Sequence, residues 1–297
     1  MGYLAKRFRM RLPVIVMLLP FFILFFVFTV YPVLRSIWYS FTYYNVFSDA
    51  QFIGLENYIR LFLEDDVFLV ALKNTLVFAV ITGPVGYLLS LLIAWLINDL
   101  SPKVRWLLTL VFYAPAISGS AVTIWTFIFS ADRHGYANSI LLQLGILNEP
   151  IAWFKDPHYM LATIIVVQLW MSLGTSFLAF IAGLQGVDKS LYEAGAVEGI
   201  RNKWQELWHI TLPSMKPQLM FGAVMQITAA FSVSDICIQL AGFPSVEYAA
   251  HTVVTHLQDY GMIRFEFGYA SAIATVLFLM MVLANQLVQA ALRRVGD

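Results

Sequence analysis

AGLQGVDKSLYEAGAVEGIRNKWQELWHITLPSMKP, residues 182–217, is the most polar run of a 297-residue chain that is 60% hydrophobic and 12% charged. Its pattern predicts two short amphipathic helices with a break at Gly199. Asp188 with Ser190 supplies N-cap chemistry for a helix over 191–197, because a short side-chain oxygen accepts one of the orphan backbone N–H groups of the first turn. A second helix over 203–211 places Trp204, Leu207 and Trp208 on one face at i, i+3, i+4 spacing. It is expected to stop at Leu212-Pro213, since the residue before a proline is disfavoured in the α conformation. A helix of this kind either lies in the headgroup layer or docks a soluble partner.

The sequence on both sides of this loop is apolar. A soluble domain carries roughly 25% charged residues, about twice the share found here, and the mean hydropathy is +0.75. An ordinary soluble enzyme and a disordered chain are excluded. The 18 Lys+Arg balance 18 Asp+Glu, so no basic field exists to attract nucleic acid. The single cysteine, Cys237, forms no internal disulfide and no Cys-based zinc site. The chain reads as an all-α polytopic membrane protein.

A spanning helix needs about 20 mostly apolar residues, and six such segments fall at 12–33, 67–98, 104–129, 160–183, 217–242 and 268–292. The first follows Lys6, Arg7, Arg9 and Arg11 and reads as a retained signal-anchor, its apolar stretch being too long for a cleaved signal peptide. Six spans put both termini on one side. Twelve of the 18 Lys and Arg residues, including Lys103, Arg105, Lys189, Arg201, Lys203, Lys216, Arg293 and Arg294, share that side, which is therefore expected to be the cytoplasm. Segments 35–66, 130–159 and 243–267 face outward, and residues 1–297 form a single membrane domain with the 184–216 loop as its one long cytoplasmic excursion. Gly83-Pro84 and Gly86 are expected to interrupt the second span, Ala114–Gly119 the third, and Met171–Thr175 to soften the fourth.

No catalytic constellation is present. The chain has no G-x-x-x-x-G-K-[ST] phosphate loop, no H-E-x-x-H and no G-x-S-x-G. His251 and His256 are five apart, a spacing that does not align on one helical face, so no metal site is assigned. Asp235 is the one clear acid within a span, where a charge costs roughly 2.5–3.5 kcal/mol on insertion scales. It reads as a structural acid, as part of a polar solute path or as an ion-coupling group.

The 182–217 loop also resembles the cytoplasmic signature of permease subunits of binding-protein-dependent type I ABC importers: Glu-Ala-Ala, three residues, Gly, nine residues, Ile-x-Leu-Pro. Here the elements are Glu193-Ala194-Gly195, Gly199 and Ile210-Thr211-Leu212-Pro213. Gly195 stands where the pattern has its second alanine, and ten residues separate Gly199 from Ile210. Phe52-Ile-Gly-Leu-Glu-Asn-Tyr58, Lys73-Asn74-Thr75, Ala182–Gln185 and Gly268-Tyr269-Ala270-Ser271-Ala272 are similar to elements of the sugar and oligosaccharide branch, the maltose-permease-like one. The wording around Gly199–Trp208 is similar to permeases for polysaccharide-derived oligosaccharides in Gram-positive bacteria.

The resemblance implies the type I importer permease fold, six helices with a coupling loop, in the bacterial cell membrane. It implies a non-catalytic transport subunit that forms half of a carbohydrate path. Its partners would be a second homologous permease, two ATPase subunits that bind the ATP and magnesium, and an extracytoplasmic solute-binding protein; the chain itself would hold no cofactor. The ATPase-docking residues would be Glu193, Ala194, Gly195, Glu198, Gly199, Trp204, Leu207, Ile210, Leu212 and Pro213. For a sugar path, aromatic faces and amides single out Tyr113, Ser118, Trp125, Gln168, Trp170, Met171, Gln226, Phe231, Ser234 and Asp235. Import of a polyol or glycerol phosphate, or ion-coupled transport by the chain alone, are the alternatives. The latter predicts more intramembrane charges and a two-fold repeat, and neither is apparent.

Overall fold

Long apolar segments satisfy their backbone polar groups in lipid only by coiling into helices, and a computed structural model, which describes residues 15–292, shows them doing so. Lys6, Arg7, Arg9, Arg11, the first residues of the expected 12–33 span, Arg293 and Arg294 lie outside the described residues. Five helical segments are long and apolar enough to cross a membrane, two of them (Pro157–Gln185 and Lys216–Ala241) with a short internal break, and a sharply bent pair brings the number up to six. In chain order the long helices are α1 (Ile15–Tyr39), α3 (Asp66–Asn98) and α14 (Phe267–Leu292), with α2 (Glu56–Leu63) between the first two. Three other spans are broken. The third is α4 (Pro102–Ile117) plus α5 (Val122–Ile128); the fourth, after α6 (Tyr136–Gln143), is α7 (Pro157–Met171) plus α8 (Thr175–Gln185). The fifth, after the loop helices α9 (Lys189–Val197) and α10 (Lys203–Glu206), is α11 (Lys216–Phe231) plus α12 (Asp235–Ala241), and α13 (Val253–Gln258) precedes α14.

Of the expected interruptions, the one in the third span is present and the one in the second is not. The third span is not continuous over 104–129: α4 and α5 meet at 86°. Pro115 occupies the last turn of α4 and Ser118 is extended (φ −99°, ψ 99°), so the stretch expected to interrupt the span bends it almost to a right angle. The second span, by contrast, is not interrupted. α3 runs for 33 residues through Pro84. The Thr82 hydroxyl bonds back to the Phe78 carbonyl at 2.8 Å, and the Thr82 carbonyl accepts from Gln226 at 3.1 Å, so side chains add bonds to the turn that precedes the proline.

The backbone separates into two compact units. The first comprises Met1–Glu64 and Leu257–Val276. It adds a small antiparallel ladder, β1 (Thr42–Tyr43) and β2 (Gln51–Phe52), with Thr42 opposite Phe52. The Phe52–Tyr58 motif builds this unit: Gly54 takes a left-handed φ of 64°, and the Asn57 amide donates to the Ser40 and Thr42 carbonyls, both at 2.9 Å. A Cβ on Gly268 would collide with the Thr42 carbonyl, which is why the last span opens on glycine. Arg60 pairs with Glu266 at 2.6 Å and lies over the Tyr269 ring at 4.2 Å.

The second unit comprises Asp65–His256 and Leu277–Asp297. α3 packs against α8 and α11. One buried cluster gathers Phe78, Val122, Met160, Ile164, Val167, Val233 and Ile236. A second gathers Ala94, Ile97, Phe177, Phe180 and Leu184 with Leu207, Leu212, Met215 and Leu219. The polar loop is thereby anchored in the apolar core.

Candidate functional site: the polar loop and the broken spans

Asp188 caps α9, its Oδ1 accepting the Ser190 N–H at 3.0 Å. That backbone hydrogen bond, joined by the Ser190 hydroxyl, holds the Asp188 carboxyl below the usual aspartate range. α9 ends at Gly199, whose φ of 103° is left-handed. The Ile200 N–H then bonds the Gly195 carbonyl at 2.9 Å and the Gly199 N–H bonds that of Ala196 at 3.3 Å. This is the two-bond C-terminal cap that glycine permits. Asn202 restarts the helix by accepting the Gln205 N–H at 2.8 Å. The hydrogen bond from Lys203 to Glu206 (3.0 Å), with Asp99 at 3.4 Å, holds the Lys203 ammonium above the ordinary lysine range. These side chains are largely exposed, so the pairs add little stability.

The second loop helix does not stop at Leu212-Pro213. After α10 the chain widens into a π turn over Leu207–Thr211 and continues helically over Leu212–Ser214. Pro213 sits in the first turn after the wide one, where its missing N–H is tolerated. The π turn also accounts for the tenth residue between Gly199 and Ile210. In an α-helix one extra residue swings everything after it by about 100°; an i→i+5 turn absorbs it, and Ile210 and Leu212 stay buried. Ile210 then reaches α9. A Cβ at position 195 would meet Ile210 Cδ1 at 2.6 Å and Ile200 Cδ1 at 3.1 Å. Both departures from the signature meet at this Gly195–Ile210 contact. Tyr192 and Thr211 tie the two segments by a hydroxyl–hydroxyl bond of 2.9 Å.

Burial divides the predicted docking residues. Glu193, Ala194, Glu198, Gly199 and Trp204 are exposed; Gly195, Leu207, Ile210 and Leu212 are buried and Pro213 half-buried. Trp204 and Leu207 therefore do not share one exposed face: Leu207 points into the core, and the Trp204 ring lies 4.9 Å from that of Trp95.

The predicted path residues fall into groups. Trp125 on α5 meets Trp170 on α7 edge-on at 5.4 Å and stacks with Phe129 at 5.6 Å. Among the described residues the buried Trp125 Nε1 has no hydrogen-bond partner. Met171 packs against the same buried cluster as Trp125, and Gln168 is half-buried one turn earlier. Tyr113 lies apart, against the Phe177–Leu212 cluster, and Ser118 sits at the α4–α5 bend with its Oγ 3.4 Å from that of Ser120. Gln226 is used inside the protein: its amide donates to the Thr82 carbonyl and accepts from Ser176 at 3.2 Å. Gly86 leaves room for it, because a Cβ there would strike Gln226 Nε2. Gln226 and Phe231, with Gly83, Pro84 and Leu287, line an apolar groove of about 490 Å³. Ser234 is buried in the break between α11 and α12, whereas Asp235 is exposed at the first residue of α12.

Sequence spacing missed one contact. His251 precedes α13 rather than sharing a helix with His256, and the loop folds their rings to a 3.2 Å N···N contact. No group of three potential metal ligands occurs among the described residues.

The profile of the family described as "Binding-protein-dependent transport system inner membrane component" matches residues 86–297, from the middle of α3 through the loop and the later spans. The chain belongs to that family. It is 33% identical over 264 residues to the protein named "Probable ABC transporter permease protein YesP" of Bacillus subtilis (strain 168), covering 87% of this chain and 83% of that one. It is 31% identical over 264 residues to the "Lactose transport system permease protein LacF" of Rhizobium radiobacter, covering 86% and 85%. A chain of a bacterial alginate ABC transporter, crystallised with an alginate pentasaccharide-bound periplasmic protein, superposes with a TM-score of 0.77 at 22% identity over 98% of both chains. The protein thus has the fold of an ABC importer permease and is a multi-pass membrane component of a transport system.

Proposed function

We propose that this chain is one of two permease halves of an ATP-driven importer of oligosaccharides, working in the bacterial cell membrane with both termini in the cytoplasm. The reading rests on the similarity to a lactose permease and to an alginate importer chain, and one observation carries the coupling. The exposed half of the signature, Glu193, Ala194, Glu198, Gly199 and Trp204, is open to a partner, while the buried half, Leu207 and Leu212, lies in the same cluster as the ends of α3 and α8. An ATPase subunit held on the exposed half moves the ends of those helices whenever it closes on ATP, so nucleotide bound elsewhere shifts the population of span arrangements. ATP and magnesium belong to the two ATPase subunits, and a solute-binding protein delivers the sugar to segments 35–66, 130–159 and 243–267. The Trp125–Trp170 pair and Asp235 supply an aromatic face and an acceptor for sugar hydroxyls.

The test is uptake by vesicles holding the assembled complex, supplied with the host's solute-binding protein and labelled neutral oligosaccharides. Accumulation that requires internal ATP supports the reading. Accumulation driven by a proton or sodium gradient without ATP contradicts it.

A further inference from the structure

We propose that Asp65, His256 and His251 form a clasp that fixes segment 243–256 in the position a solute-binding protein meets, an inference that rests on the proposed docking role of that segment. His256 Nε2 lies 3.0 Å from Asp65 Oδ2, and His256 Nδ1 lies 3.2 Å from His251 Nε2. Asp65 Oδ1 meanwhile caps α3 by accepting the Phe68 N–H at 2.9 Å. One proton per bond satisfies the whole chain: His256 donates to the carboxylate and accepts from His251. His251 is 3% exposed and His256 2%, and the Asp65 side chain 9%. The rings are walled by Phe68 at 5.8 Å, Phe243 at 6.0 Å and Tyr248 at 5.3 Å.

What this chain holds is a strained, exposed tip. Glu247 and Tyr248 have left-handed φ angles of 51° and 56°, and Val246, Glu247 and Tyr248 are exposed. Non-glycine residues keep such a conformation only where their surroundings over-determine it. Here the Asn74 amide donates to the carbonyls of Tyr248, Ala249 and His251, at 3.1, 3.2 and 2.9 Å. Thr75 Oγ1 accepts the Val253 N–H at 2.9 Å. Side-chain bonds from Asn74 and Thr75 of α3 grip residues 248–253, at and just after the tip, and the imidazole chain ties His251 and His256 to the cap of the same helix. Strain of this kind, clustered at a loop tip, belongs to a surface whose shape is used.

The experiment uses the assembled complex in nanodiscs and the host's solute-binding protein with the sugar it carries, titrated against ATPase rate. Asp65→Asn with His256→Phe removes the chain without stranding a buried carboxylate and keeps an N-cap residue. Release of the tip raises the half-saturating concentration of binding protein about tenfold, the scale of the stored strain, at a maximal rate within about twofold of wild type. His256→Gln, whose amide offers one donor and one acceptor, stays close to wild type. Amide exchange at 245–249 rises in the double variant and not in His256→Gln. An unchanged half-saturating concentration in the double variant, or a fall in maximal rate alone, overturns the clasp. A wild-type complex that the binding protein does not stimulate overturns the docking reading beneath it, and the clasp with it.

Discussion

Ile210 Cδ1 stands 2.6 Å from the point a Cβ on residue 195 would occupy. The side chain that the widened turn at Leu207–Thr211 carries inward is the one that requires glycine on the facing helix. The relationship predicts compensation. Gly195→Val alone overpacks the contact and costs about 1–3 kcal/mol, read as a lower melting temperature of the purified chain. Gly195→Val with Ile210→Ala recovers most of it. Additive losses in the double variant would show that the two positions are not coupled.

Gly199 carries the turn between the loop helices at a φ of 103°. Any side chain there is strained, and Gly199→Ala is expected to cost roughly 1–2 kcal/mol. It also loosens the cap formed by the Ile200 and Gly199 N–H groups. Hydrogen exchange of those two amides checks it: exchange as slow as in wild type would contradict the cap.

Gln226 bridges three helices through Thr82, Ser176 and the space left by Gly86. Gln226→Leu strands the buried Ser176 hydroxyl and is expected to cost about 1–3 kcal/mol. Gly86→Ala is destabilising in the wild-type background and less so beside Gln226→Ala, which removes the nearest atom it strikes. Thermal unfolding of the four variants decides this.

Trp125 separates packing from transport. Its indole N–H is buried without a partner among the described residues, so Trp125→Phe loses no hydrogen bond and is expected to change stability by less than about 1.5 kcal/mol. A residue on the sugar path still lowers uptake when changed. Uptake equal to wild type at equal expression would remove Trp125 from the path.

Much of this was legible in the residues because apolar spans and glycine turns are local. The spans follow from runs of about 20 apolar residues, the cap at Asp188 from a short acid before a helix, and the turn at Gly199 from its glycine. Pro84 misled, since a proline that breaks an isolated helix is carried here in a continuous helix packed against α8 and α11. Pro213 misled because the chain enters it from a π turn over Leu207–Thr211 and continues helically through it, which the rule for residues before a proline does not anticipate. The proximity of His251 and His256 was hidden because only the fold of the intervening loop brings them together. Asp235 was found as an intramembrane acid, but its exposure depends on the break after Phe231.

The central claim is that the exposed half of the 184–216 loop holds an ATPase. The direct measurement is a pull-down from detergent-solubilised host membrane, intact chain beside Glu193→Arg. Glu193 is exposed on α9, so its replacement leaves the fold intact and reverses a charge at the docking face. The account predicts that the intact chain brings down an ATPase and a second permease, and that Glu193→Arg keeps the permease and loses the ATPase. An intact chain recovered alone, or an ATPase retained in full by Glu193→Arg, would contradict it.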